Sequence, residues 1–196
     1  MDSKREFVVK CIYKSNIKDT DHKKRIMNEI KIHRSLNNRY ICRMHHFFDT
    51  EKAIYIVLDP LAKVDLQQML QDRTEKRLHE VEVQAIGKQL LPALAYLRNK
   101  RIVHRDLKLA NICFTDEPNM EVRLVDFGSS YQLDSFDQRR YSRCGAPLYM
   151  SPEMVGMEYG VSFEHDIWSF GVCLYIMLVG KPPFVGVNAK QIFEKI

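Results

Sequence analysis

The sequence lacks the cysteine pattern and the long apolar run that mark several common classes of protein. Its five cysteines are an odd number without CxxC spacing, which argues against a disulfide framework or a zinc site. The longest apolar run, residues 167–180, contains Ser169 and is too short to cross a bilayer. The polar N-terminus has no signal-peptide core. We therefore expect no membrane partner and a reducing compartment, the cytoplasm or the nucleus.

The sequence also lacks any concentration of charge of one sign. Its net charge of +5 is spread along 196 residues, and the densest basic stretch, residues 21–25, opens a helical pattern. Such a stretch is more often a solvated helix face than a binding patch. No basic stripe with interleaved aromatic residues is present. We therefore expect no nucleic-acid partner.

Hydrophobic periodicity divides the chain into a strand-rich first part and a mainly helical second part. Apolar residues at helical spacing predict a helix over residues 21–36, and short strands are predicted at residues 7–13, 41–48 and 53–58. After Pro60 the pattern changes, and helices are predicted at residues 64–71, 80–98 and 167–180. Two further strands are predicted around a turn, at residues 112–114 and 123–125, with the turn at residues 116–119. The pattern favours an α+β fold.

Two motifs in the second part carry the chemistry. Residues 104–111 have the sequence HRDLKLAN, and residues 126–128 have the sequence DFG. Transfer of a phosphoryl group from ATP needs a carboxylate near the attacking hydroxyl and hard oxygen ligands for Mg²⁺. Asp106 is the candidate catalytic base, and Asn111 and Asp126 are the candidate metal ligands. Together these motifs resemble those of the protein kinase family.

The resemblance covers the whole chain and implies an α+β, bilobal, protein-kinase-like fold. We expect a small β-rich N-lobe with one helix over residues 1–58, a hinge over residues 59–64 and a mainly helical C-lobe over residues 65–196. Both lobes are expected to be incomplete. No glycine-rich loop precedes Lys10, since residues 1–5 resemble the turn that follows such a loop, and the last helices of the C-lobe are missing.

The resemblance assigns roles to several further residues. Lys10 reaches the α- and β-phosphates of ATP and pairs with Glu29 on the following helix. Taken alone, the two are more often a surface lysine and a surface glutamate. Lys108 steadies the transferring phosphate and marks serine/threonine rather than tyrosine specificity. Asp166 braces the backbone of the catalytic loop. The implied cofactors are ATP and Mg²⁺, and the implied partners are proteins with Ser or Thr acceptors.

Three residues are expected to surround the adenine ring. By resemblance, the Asp59 carbonyl and the Leu61 amide and carbonyl contact its edge. Pro60 between them lacks an N–H group, but none is needed at that position. Cys113 is expected to form the floor of the adenine site, although a lone cysteine in an apolar strand is otherwise simply a core residue.

Ser142 is a candidate phosphorylation site. It follows two arginines and a tyrosine in the loop between the DFG motif and residues 151–153. A phosphate there would add about −1.5 to −2 charges, and Arg105 beside the catalytic base is its natural partner. The basic context suits an upstream kinase as a partner. The other interpretation is an unmodified serine, which flexible loops often contain.

Within the kinases, several stretches are most similar to the polo-like kinases. They are residues 29–36, 104–111, 143–149, 162–169 and 180–184, and the most specific positions are the leucine after Lys108 and the histidine at position 33. The resemblance implies Ser/Thr phosphorylation of cell-division proteins.

Two departures from the family pattern leave a second function open. Ala146 replaces a threonine whose hydroxyl helps to hold the catalytic aspartate and lysine, and Val8 replaces an alanine above adenine. Together with the missing glycine-rich loop, these departures favour the alternative that the chain is a pseudokinase or a regulatory scaffold without phosphotransfer.

Overall fold

The computed structural model describes residues 6–116, 120–156 and 160–196. The turn expected at residues 1–5 and most of the turn expected at residues 116–119 lie outside this range. The first part of the chain forms strand β1, helix α1 and strands β2 and β3, at Val8–Tyr13, Thr20–Arg34, Met44–Asp49 and Ala53–Leu58. The strands make one antiparallel sheet in the order β1-β3-β2.

Helix α1 packs on this sheet through one apolar stripe. It begins after Asp19, whose carboxylate accepts a hydrogen bond from the His22 N–H at 2.7 Å and so caps the first turn. Ile26 and Ile30, four residues apart, face the sheet. Together with sheet residues they form a small buried cluster, completed by Met44, Ile54 and Ile56.

The second part is mainly helical. Its helices are α2, α3, α4, α5 and α6, at Leu66–Asp72, Glu80–Asn99, Pro152–Gly156, Phe163–Val179 and Ala189–Phe193. Its strands are β4, β5, β6 and β7, at Ile102–Val103, Ile112–Asp116, Glu121–Leu124 and Tyr131–Gln132. Two antiparallel pairs result, β4 with β7 and β5 with β6. The main apolar core lies where α3 and α5 pack together beneath these pairs.

The predicted α+β class, with a β-strand lobe followed by a helical lobe, is confirmed. One strand is shorter than predicted, because β2 begins at Met44 rather than at residue 41. Ile41 instead forms a parallel bridge with Leu124, and the Cys42 N–H donates to the Leu124 carbonyl at 3.0 Å. These residues therefore connect the two lobes instead of extending the sheet.

The predicted apolar helix at residues 167–180 is longer in the structure. Helix α5 begins at Phe163 with two acidic residues, Glu164 and Asp166, in its first turn. It ends at Val179 and is followed by Gly180, whose φ of +80° is the left-handed conformation that glycine adopts without strain. Among the helices of the described residues, none is long and apolar enough to cross a membrane.

Candidate active site

A salt bridge joins the sheet to α1. Lys10 lies on β1, where alternate residues share a face, and Val8 is on the same face. Lys10 Nζ lies 2.8 Å from Glu29 Oε1. Glu29 is only 7% exposed, because α1 turns it towards the sheet beside Ile26 and Ile30. The pair therefore couples the position of the helix to that of the strand.

This salt bridge borders a cavity of about 340 Å³ between the two lobes. The charged residues that line the cavity are Lys10 and Glu29 of the salt bridge, together with Asp59 and Asp126. Most other lining residues are apolar, among them Val8, Ile56, Leu58, Leu61, Ala62 and Val125. A largely apolar cavity of this size with a few converging polar groups is typical of a site for a small ligand.

The carboxylate of Asp106 is held by three hydrogen-bond donors. The Ala146 N–H donates to Oδ1 at 3.0 Å, and Lys108 Nζ donates to Oδ2 at 2.6 Å. Asn111 Nδ2 donates to the Asp106 carbonyl at 2.8 Å and lies 3.3 Å from Oδ2. Because both oxygens are engaged, the carboxylate has a fixed orientation. The predicted base, lysine and asparagine therefore lie together.

The catalytic loop, residues 104–111, is attached to α5 through Asp166. The His104 N–H donates to Asp166 Oδ2 at 2.7 Å, and the Arg105 N–H donates to Oδ1 at 2.9 Å. Arg105 has a φ of +66°, a conformation that costs a non-glycine residue about 1–3 kcal/mol. Asp166 is 4% exposed and holds this backbone from the core side. The predicted bracing role of Asp166 is confirmed.

Phe127 anchors the DFG segment in the core. Its side chain is fully buried, and its ring centroid lies 4.9 Å from that of His33 and 5.0 Å from that of His104. Burial lowers the pKa of His33, and its Nε2–H donates to the Cys42 carbonyl at 2.6 Å, since a carbonyl oxygen can only accept. The helix α1 and the catalytic loop thus meet through one aromatic side chain.

Asp126 is placed at the cavity by the turn that follows β6. Its φ is +63°, and its Oδ1 accepts a hydrogen bond from the Gly128 N–H at 3.2 Å. A Cβ atom at Gly128 would lie 3.4 Å from Glu29 Oε2. The same Cβ atom would lie only 3.1 Å from Asp126 Oδ1, so a side chain at this glycine would crowd the Asp126 carboxylate.

The donor atoms at this site suit a magnesium nucleotide. Asp126 supplies a carboxylate, and Asn111 retains its amide oxygen because its Nδ2 is the atom bonded to the Asp106 carbonyl. Within residues 6–116, 120–156 and 160–196, no group of three or more His, Cys, Asp and Glu could hold a metal alone. Mg²⁺ is commonly held by one or two protein ligands together with substrate phosphates and water. The residues present fit that arrangement.

A family model described as the protein kinase domain matches residues 1–196. The chain belongs to the protein kinase family. Among curated proteins, this kinase chain is 38% identical to the cell cycle serine/threonine-protein kinase CDC5/MSD2 of Saccharomyces cerevisiae. It is 37% identical to the probable serine/threonine-protein kinase CCRP1 of Zea mays and 36% identical to the serine/threonine-protein kinase PLK1 of Xenopus laevis.

Each of these three matches covers 100% of the kinase chain. The chain in turn covers 27% of the yeast protein, 31% of the maize protein and 32% of the frog protein. It therefore spans about a third or less of the length of these relatives. The predicted resemblance to serine/threonine kinases, polo-like kinases among them, is confirmed.

The connection between the lobes of the kinase is anchored through Asp59. Asp59 Oδ1 lies 2.6 Å from His45 Nε2, and the Asp59 N–H donates to the Arg43 carbonyl at 3.0 Å. Two residues further on, Leu61 also lines the cavity. Both predicted hinge residues therefore border the same space as Lys10. Their contacts with adenine stay a prediction.

Cys113 is not among the residues that line the cavity. It lies on β5 opposite Arg123, and burial raises the pKa of its thiol to about 11. Cys42 and His33 line the cavity instead, and burial raises the pKa of the Cys42 thiol to about 12. Sequence reasoning missed both lining residues, since no local pattern distinguishes them from core residues. The role of Cys113 as the adenine floor stays a prediction.

Ser142 lies where a basic side chain can reach it. Arg105 Nη1 donates to Ser142 Oγ at 2.8 Å, and Arg105 Nε donates to the Ser129 carbonyl at 2.7 Å. Burial lowers the pKa of the Arg105 guanidinium. Arg140 is a second cation nearby, since it and Arg105 both stack over the ring of Tyr131. The Ser142 hydroxyl thus lies beside the Arg105 guanidinium.

Proposed function

We propose that this chain catalyses the transfer of a phosphoryl group from Mg-ATP to serine or threonine hydroxyls of proteins. The single observation that carries the proposal is the 2.8 Å salt bridge between Lys10 and Glu29 at the cavity that Asp126 also lines. A binding module has no chemical need for that pair beside an oriented Asp106–Lys108 pair. The five residues that match the pattern of a catalytic kinase are Lys10, Glu29, Asp106, Asn111 and Asp126.

Each residue has a distinct part in the proposed reaction. Bound Mg-ATP supplies an activated γ-phosphoryl group with ADP as the leaving group. Asp106 orients the acceptor hydroxyl and takes its proton as the oxygen bonds to phosphorus. Lys108 Nζ, 2.6 Å from Asp106 Oδ2, balances negative charge beside the acceptor. Lys10 holds the nucleotide phosphates, and Glu29 orients Lys10.

The cellular role is proposed from the relatives alone. The yeast relative is named a cell cycle kinase, and the frog relative is a kinase of the polo-like group. We propose a cell-cycle role with protein substrates for this chain as well. Its location in the cytoplasm or nucleus stays a prediction.

We expect Asp126→Asn to lower the rate of phosphotransfer by at least about 100-fold. Removing one group that stabilises charge in the transition state usually has an effect of this size. Activity is lost because the substitution removes the only carboxylate among the two proposed Mg²⁺ ligands. The measurement is incorporation of ³²P from γ-labelled ATP into dephosphorylated casein with Mg²⁺ present. Asp137→Asn, the same change at an exposed loop position, is the matched control.

The alternative function is a pseudokinase or regulatory scaffold. Ala146 favours it, since this residue offers Asp106 only its backbone N–H and has no side-chain hydroxyl. The scaffold would be supported if the original chain and Asp126→Asn incorporate equal amounts of ³²P, both at the level of a blank without protein. A difference between the two that Asp137→Asn does not share would support the kinase.

We also propose that an upstream kinase phosphorylates Ser142. The phosphate would meet the half-buried Arg105 guanidinium, now 2.8 Å from the hydroxyl. We expect Ser142→Ala to lower the kinase activity of protein isolated in its active form by about 10-fold. This is the effect of losing one charge-assisted hydrogen bond of roughly 1.5 kcal/mol. Ser135→Ala, at an exposed serine of the same loop, should have no effect. Mass spectrometry that finds Ser142 unmodified in active protein would refute this hypothesis.

A further inference from the structure

Helix α5 carries three buried polar side chains near its N-terminal end. His165, Asp166 and Ser169 are 2%, 4% and 1% exposed. The other buried residues of this helix are apolar, and a buried polar side chain normally has a hydrogen-bond partner. Asp166 has its partners in the catalytic loop. His165 and Ser169 lie four residues apart, and therefore on the same face of the helix, and they have a second set of partners.

These partners lie in residues 146–151, which we call the 146–151 segment. Ser169 Oγ donates to the Tyr149 carbonyl at 2.8 Å. His165 Nδ1 lies 2.9 Å from Ser151 Oγ and 3.4 Å from the Ser151 backbone nitrogen. Because the Ser151 N–H can only donate, Nδ1 is the acceptor and carries no proton. Helix α5 therefore fixes the segment at two points.

The ring of His165 also contacts the catalytic loop. A backbone hydrogen bond joins the ring to Arg105. The Arg105 N–H already donates to Asp166 Oδ1 at 2.9 Å, so the Arg105 carbonyl is the group that the ring meets. With Nδ1 turned towards Ser151, the donor is Nε2–H. Burial lowers the pKa of His165 and so favours the neutral ring, which has the one acceptor and the one donor that these two partners need.

His165 thus connects the two supports of Asp106. One support is the peptide of Arg105, the residue directly before Asp106. The other is the 146–151 segment, whose Ala146 N–H donates to Asp106 Oδ1 at 3.0 Å. If one support moves relative to the other, the carboxylate loses its fixed orientation. Without the imidazole, the two groups that it joins would lack this partner, which is unfavourable inside the protein.

We propose that His165 is a positioning residue for phosphotransfer, which acts through Asp106 by holding the catalytic loop and the 146–151 segment in a fixed relation. The inference rests on the proposed kinase activity and adds a residue to its acceptor site. His165 is not among the residues that line the cavity between the lobes. Binding of Mg-ATP should therefore be independent of His165, and its effect should fall on kcat.

The test begins with His165→Leu, which fills the space of the imidazole and makes neither hydrogen bond. We expect kcat for casein at saturating Mg-ATP to fall by roughly 10- to 100-fold, the scale on which a small misplacement of a reacting group acts. The rise in melting temperature on addition of Mg-ATP should be retained. The full chain is used, and kcat is measured at a temperature where circular dichroism shows each variant folded. Ile86→Val, a deletion of one buried methylene group in α3, controls for loss of stability alone and should keep the original kcat.

Two amide variants separate the hydrogen bonds from the shape of the side chain. His165→Asn presents its amide near the position of Nδ1 and can bond to Ser151, whereas His165→Gln presents its amide near that of Nε2 and can bond to Arg105. Each should retain more of the original kcat than His165→Leu. Ser151→Ala makes the smallest change and carries little risk to folding. Combined with His165→Leu, it should lower kcat by less than the product of the two single effects, because both substitutions remove the same contact.

The outcomes separate the positioning role from the activity. If casein is phosphorylated and His165→Leu keeps the original kcat, the positioning role is refuted and the kinase stands. If both amide variants fall as far as His165→Leu and Ser151→Ala has no effect, the hydrogen bonds are not the cause and the proposal is wrong. If His165→Leu does not fold, the amide variants and Ser151→Ala decide by the same comparison with the original chain. If the original chain phosphorylates nothing, the proposed function fails and the positioning role fails with it.

Discussion

Replacing Asp106 with asparagine is expected to reduce kcat by about 10²–10⁴, the usual contribution of a general base. The amide cannot accept the proton of the acceptor hydroxyl. Nucleotide binding should persist, because Asp106 is not among the residues that line the cavity between the lobes. Two measurements separate these effects: steady-state phosphorylation of casein, and the rise in melting temperature on addition of Mg-ATP.

Lys10→Met provides the contrasting variant. Lys10 lines the cavity and pairs with Glu29, so its loss should weaken the Mg-ATP shift itself. The exposed Asp137→Asn should alter neither readout. An Asp106→Asn protein with the kcat of the original chain would contradict the assignment of Asp106 as the base.

Replacing Asp166 with alanine is expected to lower the free energy of unfolding by about 2–6 kcal/mol. The change leaves two backbone N–H groups, those of His104 and Arg105, without their acceptor, at about 1–3 kcal/mol for each unsatisfied buried group. It also releases the positive φ of Arg105. Urea unfolding followed by tryptophan fluorescence would measure the loss.

Two variants test whether this effect belongs to the hydrogen bonds. Asp166→Asn keeps the size of the side chain and one acceptor oxygen, so it should lose less stability than Asp166→Ala. Glu164→Ala removes an exposed acid from the same helical turn and should change the free energy of unfolding by no more than about 0.5 kcal/mol. Equal stability of all three variants would contradict the bracing role.

Local patterns in the sequence predicted most elements of the fold. The helical spacing of Ile26 and Ile30 predicted α1, and the apolar run over residues 53–58 predicted β3 at its exact bounds. The pattern failed at Ile41 and Cys42, two apolar residues that look like the start of β2 but contact Leu124 of the other lobe instead. An apolar strand-like run does not specify which partner it pairs with, so such an error is expected.

What the sequence alone determined is the chemistry that lies close along the chain. Asp106, Lys108 and Asn111 lie within six positions, so a short loop brings them together, and the DFG motif follows soon after. These local spacings identified the family before any contact between distant residues was known.

Only the tertiary structure decided the contacts between residues that lie far apart in sequence. The family resemblance implied that Lys10 pairs with Glu29 and that Asp166 braces the catalytic loop, but only the structure shows which atoms meet, across 19 and 62 positions. The same holds for the cavity that Cys42 and His33 line. The physical reason is that these arrangements depend on how the lobes and helices pack, and packing couples residues that no local periodicity relates.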